Sequence, residues 1–169
     1  MRASKGTTLL EALVYIGLLG GLFTVIVSVL ISSSTVLQEI HAMRAINQSG
    51  LLVVERIGEA VRSGTELDTA TSTFGVDPSI LGVIENRDGN ATSTVFYVVN
   101  GAMYLYDETD SIRLTDDAVT VDSFVVENIS IGSTTAVKID MTIGYMNGSS
   151  TRSENFYGTF NARGAYDER

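Results

Sequence analysis

Apolar positions fall along this chain in three successive patterns. From Ala12 to Ile31 they are nearly continuous, broken only by glycines and by Thr24 and Ser28. A run of about 20 such residues is what a bilayer core of about 30 Å requires of a helix rising 1.5 Å per residue. From Ile31 onward the stripe thins out to steps of three and four: Val36, Ile40, Met43, Leu51, Val54, Ile57 and Val61, with Asn47 its one polar member. Gln38, Glu39, Arg44, Gln48, Glu55 and Glu59 lie mostly off that stripe, as on an amphipathic helix. No proline interrupts residues 7–61, so the two segments predict one helix on the order of 80 Å long. Arg62-Ser63-Gly64 is its expected stop.

The Ser/Thr/Gly/Asp-rich stretch 63–78 holds the only proline, Pro78, and reads as a loop. From Ile80 the period becomes two. Thr94 to Val99, then Asn100-Gly101, then Ala102 to Tyr106 is a hairpin signal with a two-residue turn. Pairing about that turn sets Val98 opposite Met103 and Phe96 opposite Leu105 on an apolar face. Tyr97, Tyr104 and Tyr106 occupy the other face. Strands are expected near 119–131. Val137, Ile139, Met141, Ile143 and Tyr145 then alternate with polar or small residues. A turn at Asn147-Gly148-Ser149-Ser150 leads to a last strand from Arg152 to Phe160, and residues 162–169 form a polar tail. Helix first, then an antiparallel meander, is an α+β order, with the sheet of residues 79–161 expected to pack on the amphipathic half of the helix, residues 32–62.

Charge narrows the picture. The chain carries −9 at neutral pH, and the first six residues hold two of its cations, Arg2 and Lys5. So acidic a chain argues against a nucleic-acid partner, whose phosphates need a basic patch. There is no cysteine, hence neither a disulfide framework nor a thiolate site. Arg2 and Lys5 precede the apolar run, and no cation follows it until Arg44. The positive-inside rule therefore puts the N-terminus of a single-pass protein in the cytoplasm and its domain outside the membrane. Gly17 and Gly21, four apart within the span, allow close approach of a second helix in lipid.

The one acid at the mouth of the apolar run is Glu11. An ionisable group in such a segment is expensive and calls for a function. Its context is Lys5-Gly6-Thr7-Thr8-Leu9-Leu10-Glu11 followed by the apolar run. This resembles the N-terminus of type IV pilin-like proteins, the pilins and pseudopilins. In that family a short basic leader ends in Gly, a prepilin peptidase cuts after it, and a glutamate is fifth in the mature chain. The resemblance implies a leader of residues 1–6, cleavage between Gly6 and Thr7, N-methylation of Thr7, and a membrane helix from residue 7 to 31. Thr7 stands where the family usually has Phe. The resemblance also implies assembly into a filament with other pilin-like subunits, an inner-membrane assembly platform as partner, and residence in the inner membrane until assembly. Thr7 and Glu11 are i and i+4 on one helix face. In a bundle, the Glu11 carboxylate can pair with the Thr7 ammonium of a neighbour, and that pairing selects one register between subunits. The globular part resembles the minor pseudopilins of type II secretion systems through its Tyr-bearing hairpin and the passage Leu114-Thr115-Asp116-Asp117-Ala118-Val119-Thr120-Val121.

Other chemistry is sparse. His41 is the only histidine, and no second ligand stands at helical spacing, so neither a triad nor a metal site forms around it. Asp107-Glu108-Thr109-Asp110 and Asp116-Asp117 pair carboxylates without matching a twelve-residue calcium loop. No cofactor is expected, and no enzyme activity. The competing expectation is a monomeric, membrane-anchored binding module of adhesin type, for which Glu11 would merely reach the headgroups.

Overall fold

The computed structural model of the chain describes residues 8–87, 90–131, 134–147 and 150–162. It divides into two compact units, Met1–His41 and Ala42–Arg169. Helix α1 (Leu9–Ser63) contributes to both. The expected tail lies outside the described residues apart from Ala162.

In the first unit α1 buries nothing large. Every large apolar side chain from Leu9 to Ile31 is exposed except Val27, which is half-buried. This part of α1 is long and apolar enough to cross a membrane. Its hydroxyls are turned back on the helix. Thr24 donates to the Gly20 carbonyl at 3.0 Å, Ser28 to Val25 at 3.1 Å and Ser34 to Ile31 at 3.0 Å. Polar side chains that bond their own helix can face an apolar medium without an unsatisfied donor.

In the second unit α1 supplies the centre of the core. Ile46, Val53, Ile57, Ala60 and Val61 pack with residues of every long strand except the last, Ser150–Asn161, which adds the half-buried Phe156 and Phe160. The buried face differs from the expected stripe. It runs through Ala42, Ile46, Ser49, Gly50, Val53, Ile57, Ala60 and Val61, while Val36, Ile40 and Leu51 stay exposed. Up to Val53 the buried set is the expected one moved by one residue, about 100° around the helix. The reason is size. A Cβ on Gly50 would lie 2.3 Å from the Phe156 ring, and one on Gly58 2.6 Å from Phe160. The sheet approaches where the helix is narrow, and bulky residues alone do not show that face.

The strands form two antiparallel sheets rather than one meander. β1 (Glu66–Leu67), β2 (Leu81–Arg87), β3 (Asn90–Val99), β4 (Ala102–Asp107) and β5 (Asp110–Arg113) pair in that order. β6 (Val119–Asn128), β7 (Ala136–Asn147) and β8 (Ser150–Asn161) make the second sheet. The β3–β4 hairpin has the expected register, Val98 opposite Met103 and Phe96 opposite Leu105. Its turn places Asn100 at φ 52° and Gly101 at φ 73°, both left-handed, as a type I′ turn needs. Phe96, Met103, Phe124, Val137, Ile139, Met141 and Ile143 are fully buried beneath the sheets.

Two segments join the sheets. After β5 the chain leaves the edge of β4, with Leu114 donating to the Met103 carbonyl at 2.9 Å and Thr115 Oγ1 accepting from Met103 at 3.2 Å. Buried Ser49 on α1 accepts from the Asp116 amide at 3.2 Å. The second join is the 73–80 segment, which contains the cis Asp77-Pro78 bond. Asp77 Oδ1 accepts from Phe124 at 2.9 Å and Ser79 Oγ from Val126 at 3.0 Å. Ser79 donates its amide to the Phe124 carbonyl at 2.7 Å, and Gly75 to Val126 at 2.8 Å. An edge strand is a row of unpaired backbone groups, and here β6 is covered by a loop that mimics a neighbour strand.

Candidate functional site

The first turn of α1 is built by Thr8. It precedes the helix as N-cap, and its Oγ1 accepts the Glu11 amide at 3.3 Å while its carbonyl accepts from Ala12 at 3.1 Å. Thr8-x-x-Glu11 is the spacing of a capping box, a signal present in the sequence but not read from it. The Glu11 carboxylate turns the other way, toward the second turn, where the Tyr15 hydroxyl donates to Oε1 at 3.4 Å. Thr8, Glu11 and Tyr15 thus share one polar stripe on an otherwise apolar surface. Tyr15 is 60% exposed and its neighbours Leu13, Val14 and Ile16 more than half exposed, so among the described residues nothing covers the carboxylate. A negative charge in the first turn is favoured by the helix dipole, by about 0.3–1 kcal/mol.

The other residues singled out in this segment stand as follows. Gly6 and Thr7 lie outside the described residues. Gly17 and Gly21 are on α1, and a Cβ added at either would meet nothing within 4 Å in the isolated chain. His41 is exposed on α1.

The Tyr-bearing face of the first sheet is engaged internally. Tyr97 stacks on Tyr104 with ring centroids 5.7 Å apart and planes at 19°. The Tyr97 hydroxyl lies 2.7 Å from Ser111 Oγ, and Tyr106 donates to the Glu108 carbonyl at 3.0 Å. The acidic stretches are likewise spent on local backbone. Glu108 accepts from the Ser93 amide at 2.9 Å, Asp110 from Ser111 at 2.7 Å, and Asp116 from Ala118 at 2.8 Å. Asp117 pairs with Arg113. Among the described residues no three His, Cys, Asp or Glu side chains gather as metal ligands would.

Asp68 is the acid most committed to a structural task. Its carboxylate accepts from the Thr71 hydroxyl at 2.7 Å, the Ser93 hydroxyl at 3.1 Å and the amides of Ala70 and Thr71. The Thr71 hydroxyl first, then Ser93 and the two amides, hold its pKa below the ordinary carboxylate value despite slight desolvation. Lys138 is shifted up by its hydrogen bond and attraction to Glu127, 2.9 Å away, with Asp140 adding to it.

A groove of about 630 Å³ runs between α1 and the first sheet, with Leu52, Ala60, Leu105, Ile112 and Leu114 along its apolar lining. Arg56 and Glu59, paired at 3.0 Å, stand on its helix side. Ser63 and Glu85 also line it and bond each other, the Ser63 hydroxyl donating to Glu85 Oε1 at 3.2 Å. Comparison of the chain with protein-family models, with curated proteins and with solved structures finds no match.

Proposed function

We propose that this chain is a structural subunit of a filament built on the type IV pilin plan, a minor pilin or pseudopilin of a pilus-like or type II secretion assembly. In this proposal a prepilin peptidase removes residues 1–6, leaving a free amine on Thr7. The chain waits in the inner membrane with its N-terminus in the cytoplasm and the β domain outside. The assembly platform then moves α1 out of the bilayer into a bundle with other subunits.

The observation that carries the proposal is Glu11: one carboxylate in the first turn of an unbroken helix whose large apolar side chains from Leu9 to Ile31 are exposed, Val27 apart. Burying that surface among other helices is favourable once it leaves lipid, at roughly 25 cal/mol per Å². Burying Glu11 with it is tolerable only beside a cation, since an unpaired buried charge costs about 3–5 kcal/mol. The Thr7 ammonium of a neighbour is the cation that cleavage creates at the right height. Contacts of this head-to-tail kind make a filament where the rotation between copies does not close a ring.

Co-expression with a prepilin peptidase tests the first step. The intact mass of the product is expected to fall by that of Met1–Gly6. An unshifted mass would leave Thr7 without a free amine and remove the proposed partner of Glu11.

A further inference from the structure

We infer that Tyr15 is a positioning residue for Glu11, and that the two side chains together form the receptor for the incoming amine. This rests on the proposed assembly through Glu11. The chemistry follows from the contacts. A carboxylate has about four lone-pair positions, and among the described residues Tyr15 is the side chain that donates to Glu11, at 3.4 Å. The distance is long for an O–H···O bond, so the contact orients the carboxylate without saturating it. It also selects a direction. Glu11 at the start of an apolar helix would otherwise extend toward the polar boundary. The phenol four residues on draws it along the helix instead, and Tyr15 itself stands 60% exposed among apolar side chains.

A phenol oxygen that donates its proton still has lone pairs. An ammonium approaching Glu11 can therefore place one N–H on the carboxylate and a second on the Tyr15 oxygen. The receptor takes an ammonium with at least two N–H donors, which includes a free α-amine and a singly methylated one. It discriminates against dimethylated and trimethylated amines, which lack the second donor. Phe at position 15 would keep the ring and lose both the orienting bond and the second acceptor.

Energy transfer between copies tests this in the full chain processed to Thr7 and inserted in phospholipid vesicles. Because the chain has no cysteine, Ser34→Cys provides a single labelling position for donor and acceptor dyes. Tyr15→Phe is expected to weaken association about five- to tenfold, the scale of one ordinary hydrogen bond, as suits a contact this long. In a Glu11→Gln background, Tyr15→Phe is expected to change nothing further. Dimethylating the Thr7 amine should weaken wild type and leave Tyr15→Phe nearly unaffected. If Glu11→Gln abolishes association while Tyr15→Phe matches wild type, the role of Tyr15 is overturned and the assembly proposal stands. An equal Tyr15→Phe loss in both backgrounds would also overturn it, since an interfacial aromatic acts without Glu11. If Glu11→Gln associates as wild type does, both proposals fall.

Discussion

Ser79 shows how much of this domain rests on single side chains. It is fully buried, donates to the Val76 carbonyl at 2.6 Å and accepts the Val126 amide at 3.0 Å. Ser79→Ala leaves that buried amide unpaired, so a loss of about 1–3 kcal/mol is expected in denaturant unfolding of the detergent-solubilised chain. Asp68 acts through charge. Its folded pKa lies below the unfolded value, so its contribution is complete above that value and disappears as pH falls through the folded pKa. Unfolding free energy followed from pH 6 down to about 2 should therefore decline less steeply in Asp68→Asn than in wild type. A parallel decline in both would show that the carboxylate is not held by Thr71 and Ser93. Neither residue stands out in the sequence. The partner of Ser79 is 47 positions away, and a turn carboxylate is common in any loop.

At the scale of elements, α1 and β8 define each other. Phe156 rests over Gly50 and Phe160 over Gly58, with the Arg62 guanidinium 5.9 Å from the Phe160 ring centre. Gly50→Ala should destabilise the domain by about 1–3 kcal/mol through collision with Phe156, as overpacked sites do. Combining it with Phe156→Ala should relieve that collision, so the double variant would lose less than the sum of the two single ones. Alternation announced the buried face of β3 and of the middle of β7, where burial falls on one side. The helix face matches the expected stripe at Ile57 and Val61 and departs from it before Val53, for the converse reason. Hydrophobic periodicity counts large residues, and this interface was made by Ala42, Ser49, Gly50 and Gly58, where the absence of side chain admits rings from the sheet. The separation into two sheets was equally hidden, because it depends on where Leu114 and Thr115 leave Met103 rather than on any break in alternation.

At the scale of the whole molecule, α1 carries apolar residues on two faces of its second half. One face is the core of the β domain, and another exposes Leu51 at 62%. Exposed apolar side chains opposite a core-facing side suit a helix that also meets other helices. The proposed site was legible in residues 5–31 because it is local: a Gly, a carboxylate five residues on, and an unbroken apolar run. Tyr15 was not, because one tyrosine in an apolar segment reads as an interfacial aromatic until its contact with Glu11 is seen. The proposal that α1 assembles through Glu11 is tested most directly by the mass of the particle that peptidase-processed chain forms, compared between wild type and Glu11→Leu. Wild type is expected as multi-subunit particles and Glu11→Leu as single chains. Particles of the same mass from both would contradict the account.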